Sequence, residues 1–97
     1  MDVEAREALD TIQWCARNGR LLIQTHFLER MEERGMVWAD VLAILDDPLD
    51  VQPGGPEKFD RPKWLLAGIA SDGLAIEIVC VLDQNDLGDW AVLITIY

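Results

Sequence analysis

The sequence predicts an α+β fold, with N-terminal helices packed on a C-terminal antiparallel sheet, and three observations predict it. Before Pro48 the apolar residues recur at helical spacing; after the turn-forming Pro53-Gly54-Gly55-Pro56 the period shortens toward two; and the later runs are separated by hairpin chemistry. Ninety-seven residues at 51% hydrophobic composition, with four tryptophans, suffice for one small core and leave no length for a second domain.

Residues 2 to 17 read as an amphipathic helix on Val3, Ala8, Ile12, Cys15 and Ala16, with acids in the first turns where the helix dipole favours them, and Asn18-Gly19 ends it. Leu21-Leu22-Ile23 is open between a short strand and an extended connection. Thr25 is placed to cap a second helix that stops at Gly35. A third spans Trp38 to Asp46, its face formed by Val41, Leu42 and Leu45, and Pro48 prevents its continuation. Asp46, Asp47 and Asp50 around that proline read as solvated helix-end chemistry. The sheet follows as three strands, Trp64 to Ala70, Leu74 to Leu82 and Trp90 to Tyr97, joined by Ser71-Asp72-Gly73 and by Gln84 to Asp89, with the second strand in the middle.

Eight Lys and Arg against 18 Asp and Glu leave a net charge of −10. Such a chain repels a polyphosphate at long range, so RNA binding requires a local basic cleft acting within the Debye length, about 8 Å at physiological salt. The same charge suits docking to a basic protein. No apolar run approaches the roughly 18 residues of a membrane span, and Met1-Asp2-Val3-Glu4 is acidic where a signal peptide is basic. The expected location is the cytoplasm, where Cys15 and Cys80 remain reduced as buried packing residues. One histidine and two separated cysteines form no zinc-ligand cluster, and no glycine-rich phosphate loop occurs, so neither a metal nor a cofactor is expected.

The run Thr25-His26-Phe27-Leu28-Glu29-Arg30-Met31-Glu32-Glu33-Arg34-Gly35-Met36 holds the main functional clue. At about 100° per residue, steps of four drift by only about 40°, so His26, Arg30 and Arg34 form one stripe beside Phe27, Leu28 and Met31. Such a stripe either holds an anionic group or anchors the helix to carboxylates, with Asp40, Asp46 and the terminus at Tyr97 as candidates. As RNA-cleaving chemistry, His26, with an ordinary pKa of about 6.5, is acid or base, Arg30 and Arg34 clamp phosphate, and Tyr97 positions or donates. Lys58, Arg61 and Lys63, in the loop entering the sheet, extend a cationic rim if the fold brings them near the stripe. Trp14, Trp38, Trp64 and Trp90 read as core or interface anchors, and Trp64, beside Lys63, is the one with a neighbouring cation.

The run above, then Val37-Trp38-Ala39-Asp40-Val41-Leu42-Ala43-Ile44-Leu45-Asp46-Asp47-Pro48, then the closing Val92-Leu93-Ile94-Thr95-Ile96-Tyr97, resembles the DUF4258 family. Its members carry a His-x-x-x-Arg-Met-x-x-Arg-Gly helix, a second helix and a sheet ending in Ile-Thr-Val-Tyr. The resemblance covers roughly residues 20 to 97 and leaves the N-terminal helix, residues 1 to 19, as an addition or a divergent portion. It implies a fold similar to RelE and ParE toxins, with relatives of the MqsR type that cut messenger RNA and are neutralised by a partner protein. Carried onto this chain, it marks His26, Arg30, Arg34 and Tyr97 as catalytic and Thr95 as a substrate contact on the last strand. Trp38 departs from the Ser or Thr cap that often opens the next helix. The expected function is the toxin-like half of a toxin–antitoxin pair, a metal-independent messenger-RNA endoribonuclease with RNA and an antitoxin as partners. The alternative is a catalytically inert acidic module that binds a protein, or a second copy of itself, through a free sheet edge.

Overall fold

The computed structural model describes residues 1–97. Asp2 opens α1 (Val3–Arg17), its carboxylate accepting the Ala5 N–H at 2.8 Å. Gly19, at φ +68°, closes it in the left-handed conformation, and the Arg20 N–H returns to the Cys15 carbonyl at 2.8 Å. The same device ends α2 (Thr25–Glu33): Gly35 sits at φ +65°, its N–H reaches Glu32 O, and the Met36 N–H reaches Met31 O at 2.9 Å. Met31 and Met36 are both buried, the apolar contact that accompanies this stop. The start of α2 differs from expectation, since Gln24 is the cap residue without a side-chain bond and Thr25 is already helical. In α3 (Trp38–Asp46) the missing Ser or Thr cap is replaced from inside the helix. One Asp40 carboxylate oxygen accepts the Val37 N–H and the other accepts the Ser71 N–H, both at 3.1 Å, which holds the acid below its ordinary pKa.

The sheet corrects the expected three-stranded antiparallel arrangement. It has five strands, β1 (Leu21–Ile23), β2 (Asp50–Pro53), β3 (Lys63–Ile69), β4 (Ala75–Asn85) and β5 (Gly88–Ile96), in the order β1-β5-β4-β3-β2. β2 to β5 are antiparallel neighbours and β1 adds in parallel to β5, so the sheet is mixed. Asp50 therefore belongs to a strand: its carboxylate accepts from Val51 N–H and Gln52 Nε2. The β4–β5 hairpin also runs past the apolar zone, leaving only Asp86 and Leu87 as the turn, and Gln84 bonds Asp89 across it at 2.7 Å.

One sheet face carries the core, where Leu66, Ile78, Cys80 and Leu93 meet Ile12 and Cys15 of α1, Phe27 of α2 and Val41 and Leu45 of α3. All of these side chains are buried to within 1%. Burial pushes the Cys80 thiol up to about 12 and raises that of Cys15, and both cysteines are free. Gly68 admits α3 to the sheet, because a Cβ there would stand 2.6 Å from Ile44 Cγ1. The opposite face buries Val79, Val81, Val92 and Thr95 as well. A bulge aids this: Val79 pairs with Thr95 and Cys80 with Leu93, so Ile94 is the extra residue of β5. No helix is long and apolar enough to cross a membrane.

Candidate nucleic-acid interface

The β2–β3 loop crosses the second sheet face and is organised by one carboxylate. Glu57 Oε2 accepts the backbone N–H groups of Phe59 and Arg61 at 2.9 and 3.0 Å, while Arg61 Nη2 reaches Oε1 at 2.8 Å. Arg61 Nη1 continues to Asp83 Oδ2 at 3.0 Å and so ties the loop to β4. The Arg61 hydrogen bond, with the two N–H donors, holds the Glu57 carboxyl at about 2 against an ordinary 4.5. Arg61 lowers Asp83 by the same means and is itself raised.

Beneath this loop lies a hollow of about 320 Å³ lined by Gln24, Pro56, Glu57, Lys58, Phe59, Arg61, Lys63, Val81 and Ile94. The structure thus brings the three predicted rim cations together, in unequal states. Arg61 is committed to its clamp, Lys63 Nζ donates to the Pro56 carbonyl at 3.0 Å, and Lys58 enters no salt bridge. Phe59 is 64% exposed, with Lys58 Nζ 5.2 Å and Arg61 Cζ 5.1 Å from its ring centre. An exposed aromatic beside cations over an apolar floor is equipped to take a flat, negatively charged polymer unit. Sequence reasoning named the cations but passed over Phe59, Gln24 and Ile94; a lone aromatic within a polar, cation-bearing loop was the available sign.

The helical stripe sits elsewhere. Arg30 Nε donates to the Ile96 carbonyl at 3.0 Å and its Nη1 to Glu33 at 2.7 Å. Arg34 Nη2 donates to the Ala75 carbonyl at 3.3 Å. Both arginines therefore clasp strand carbonyls rather than the carboxylates of Asp40, Asp46 or Tyr97, which corrects that expectation. The reason lies in strand length. β1 pairs β5 only from Ala91 to Leu93, so Ile96 offers its carbonyl along an edge that β1 does not cover, and α2 lies there. His26 is exposed in the first turn of α2, two residues after Gln24. Thr95 is 7% exposed and pairs with Val79, while Tyr97 is 62% exposed and its backbone pairs with Glu77. None of His26, Arg30, Arg34, Thr95 or Tyr97 lines any of the five principal hollows.

The sequence profile for a domain of unknown function, DUF4258, matches residues 23–97. The chain belongs to the DUF4258 family. No curated protein and no solved structure matches it. The DUF4258 region opens on Ile23, the last residue of β1, so it includes both the loop hollow and the arginine clasps and leaves α1 outside. A cation–aromatic stack joins the two parts: the Arg20 guanidinium lies 5.9 Å from the Trp14 ring of α1 and 5.0 Å from the Trp90 ring of β5. The tryptophans with cation neighbours are these two, and Trp64 is instead buried in the core. That is a correction with a simple cause, since successive strand residues face opposite ways and Lys63 points away from Trp64.

Proposed function

We propose that this DUF4258 protein is the toxin-like component of a toxin–antitoxin pair, with a RelE/ParE-like fold, cutting messenger RNA without a metal in the cytoplasm. One observation carries the reading: in a chain with only 8 Lys and Arg against 18 acids, three of those cations line one hollow beside an exposed phenyl ring. Lys58 and Lys63 hold the phosphates. His26, two residues from the hollow's Gln24, takes the proton of the 2′-hydroxyl, whose oxygen bonds to phosphorus as the bond from phosphorus to the 5′-oxygen breaks. Solvent water protonates that leaving oxygen, and Tyr97, which lines none of the five principal hollows, takes no part in the step. Gln24 links the two parts, since it lines the hollow and precedes His26 by two residues. The antitoxin is a basic protein drawn to the net charge of −10.

Expression in a bacterial host is expected to arrest growth, and the purified chain to cleave RNA in the presence of EDTA. His26→Ala, and separately Lys58→Ala with Lys63→Ala, should relieve the arrest while leaving the circular dichroism spectrum unchanged. Growth arrest that survives both variants, or no arrest from the parent chain, overturns the reading. In that event a second reading takes over, favoured by β1. This three-residue edge strand leaves Leu22 and Ile23 at 48% and 37% exposure, a short apolar edge suited to pairing with a protein strand or a second copy.

A further inference from the structure

We infer that the Phe59 ring is a stacking platform for one unpaired nucleobase, which makes single-stranded RNA, and not duplex, the substrate class of the hollow. The inference rests on the RNA reading above and adds the residue that selects the strand. Phe59 is held outward by its loop. Its N–H is fixed on the Glu57 carboxylate, and the next residue, Asp60, is the one non-glycine residue with a left-handed backbone, at φ +57°. Aspartate is among the non-glycine residues that take that backbone most readily, and Glu57, Arg61 and Asp83 fix the turn around it. An apolar floor of Val81 and Ile94 lies in the same hollow, yet the ring stays 64% exposed.

A base laid on this ring brings its flanking phosphates toward Lys58, which has no ion pair, and toward Lys63 at the base of the hollow. Stacking is also the contribution this chain most needs, because its net charge of −10 opposes a polyanion and stacking is indifferent to salt. In duplex RNA the bases are already stacked on one another, so the platform has nothing to receive.

The test is fluorescence anisotropy with a labelled, uncleavable 2′-O-methyl oligonucleotide, single-stranded, annealed to its complement, or abasic throughout. Phe59→Ala is expected to weaken single-strand binding by roughly 10- to 100-fold, Phe59→Trp to retain it, and neither to alter abasic binding. Lys58→Ala should instead reduce the slope of affinity against salt by about 1, a change Phe59→Ala should not make. Single-strand binding that depends on Lys58 and Lys63 but not on Phe59, or duplex bound as tightly as single strand, overturns the platform and leaves the RNA reading in place. No binding by any of the three probes removes both.

Discussion

Arg30 and Arg34 look alike in sequence and act unequally in the structure. Arg30, with its side chain 29% exposed, places two donors on Ile96 O and Glu33, whereas Arg34 makes one longer contact of 3.3 Å. Arg30→Ala is therefore expected to cost about 1 to 2 kcal/mol in urea unfolding and Arg34→Ala less than about half of that, with Arg30→Lys in between. Equal losses would show that the β5 carbonyl is not what Arg30 serves. The stripe itself was legible, since spacing of four residues fixes a common face. Its partner was not, because the accepting group is a backbone carbonyl 66 residues further along the chain. Glu57 gives a second expectation at this scale. Its folded pKa of about 2 lies below the ordinary 4.5, so its support for the loop is complete above the ordinary value and is lost as pH falls toward the folded one. The amide resonances of Phe59 and Arg61, which donate to that carboxylate, should hold steady through about pH 4.5 and shift only near about pH 2. A midpoint near the ordinary value would dissolve the clamp.

Among the elements, length and periodicity decided what the sequence disclosed. The helices and the three central strands run for nine or more residues, except β3 with seven, and each repeats its apolar pattern often enough to read. β1 has three residues and β2 four, with Val51 the only one of those four buried, too few to establish a period. Their places are set by long-range pairing onto β5 and β3. The polar hairpin tip was misread for the converse reason, as Gln84 and Asn85 carry loop chemistry yet stay in register with Asp89 and Gly88. Contact between elements is sharpest where α3 crosses β3. Gly68→Ala puts a methyl 2.6 Å from Ile44 Cγ1 and 2.9 Å from Cγ2, so it should destabilise by roughly 1 to 3 kcal/mol. In an Ile44→Ala background, which removes both of those carbons, the two losses should be less than additive. Strict additivity in denaturant unfolding would place the strain elsewhere.

For the molecule as a whole, the family boundary and the folding boundary do not coincide. The DUF4258 match begins at residue 23, yet α1 contributes Ile12 and Cys15 at 0% exposure, with Ala5, Ala8 and Leu9 nearly as buried, to the same cluster as Leu66, Ile78 and Leu93. Gln13 adds a polar tie, its Nε2 reaching the carbonyls of Leu45 and Asp46 at the end of α3 at 3.2 and 2.7 Å, where a helix leaves such groups unpaired. Removing residues 1–19 would uncover the apolar backs of β4 and β5 and the buried side of α3 together. Each large core side chain so exposed costs roughly 1.5 to 3 kcal/mol, and total stabilities of roughly 5 to 15 kcal/mol cannot absorb several such losses. The truncated chain is therefore expected to lose its cooperative thermal transition and to bind a hydrophobic dye, while the full chain melts in one step. A truncated chain that still melts cooperatively would assign α1 to a different task, leaving the Arg20 stack between Trp14 and Trp90 as an exposed surface feature and not the seam of the core.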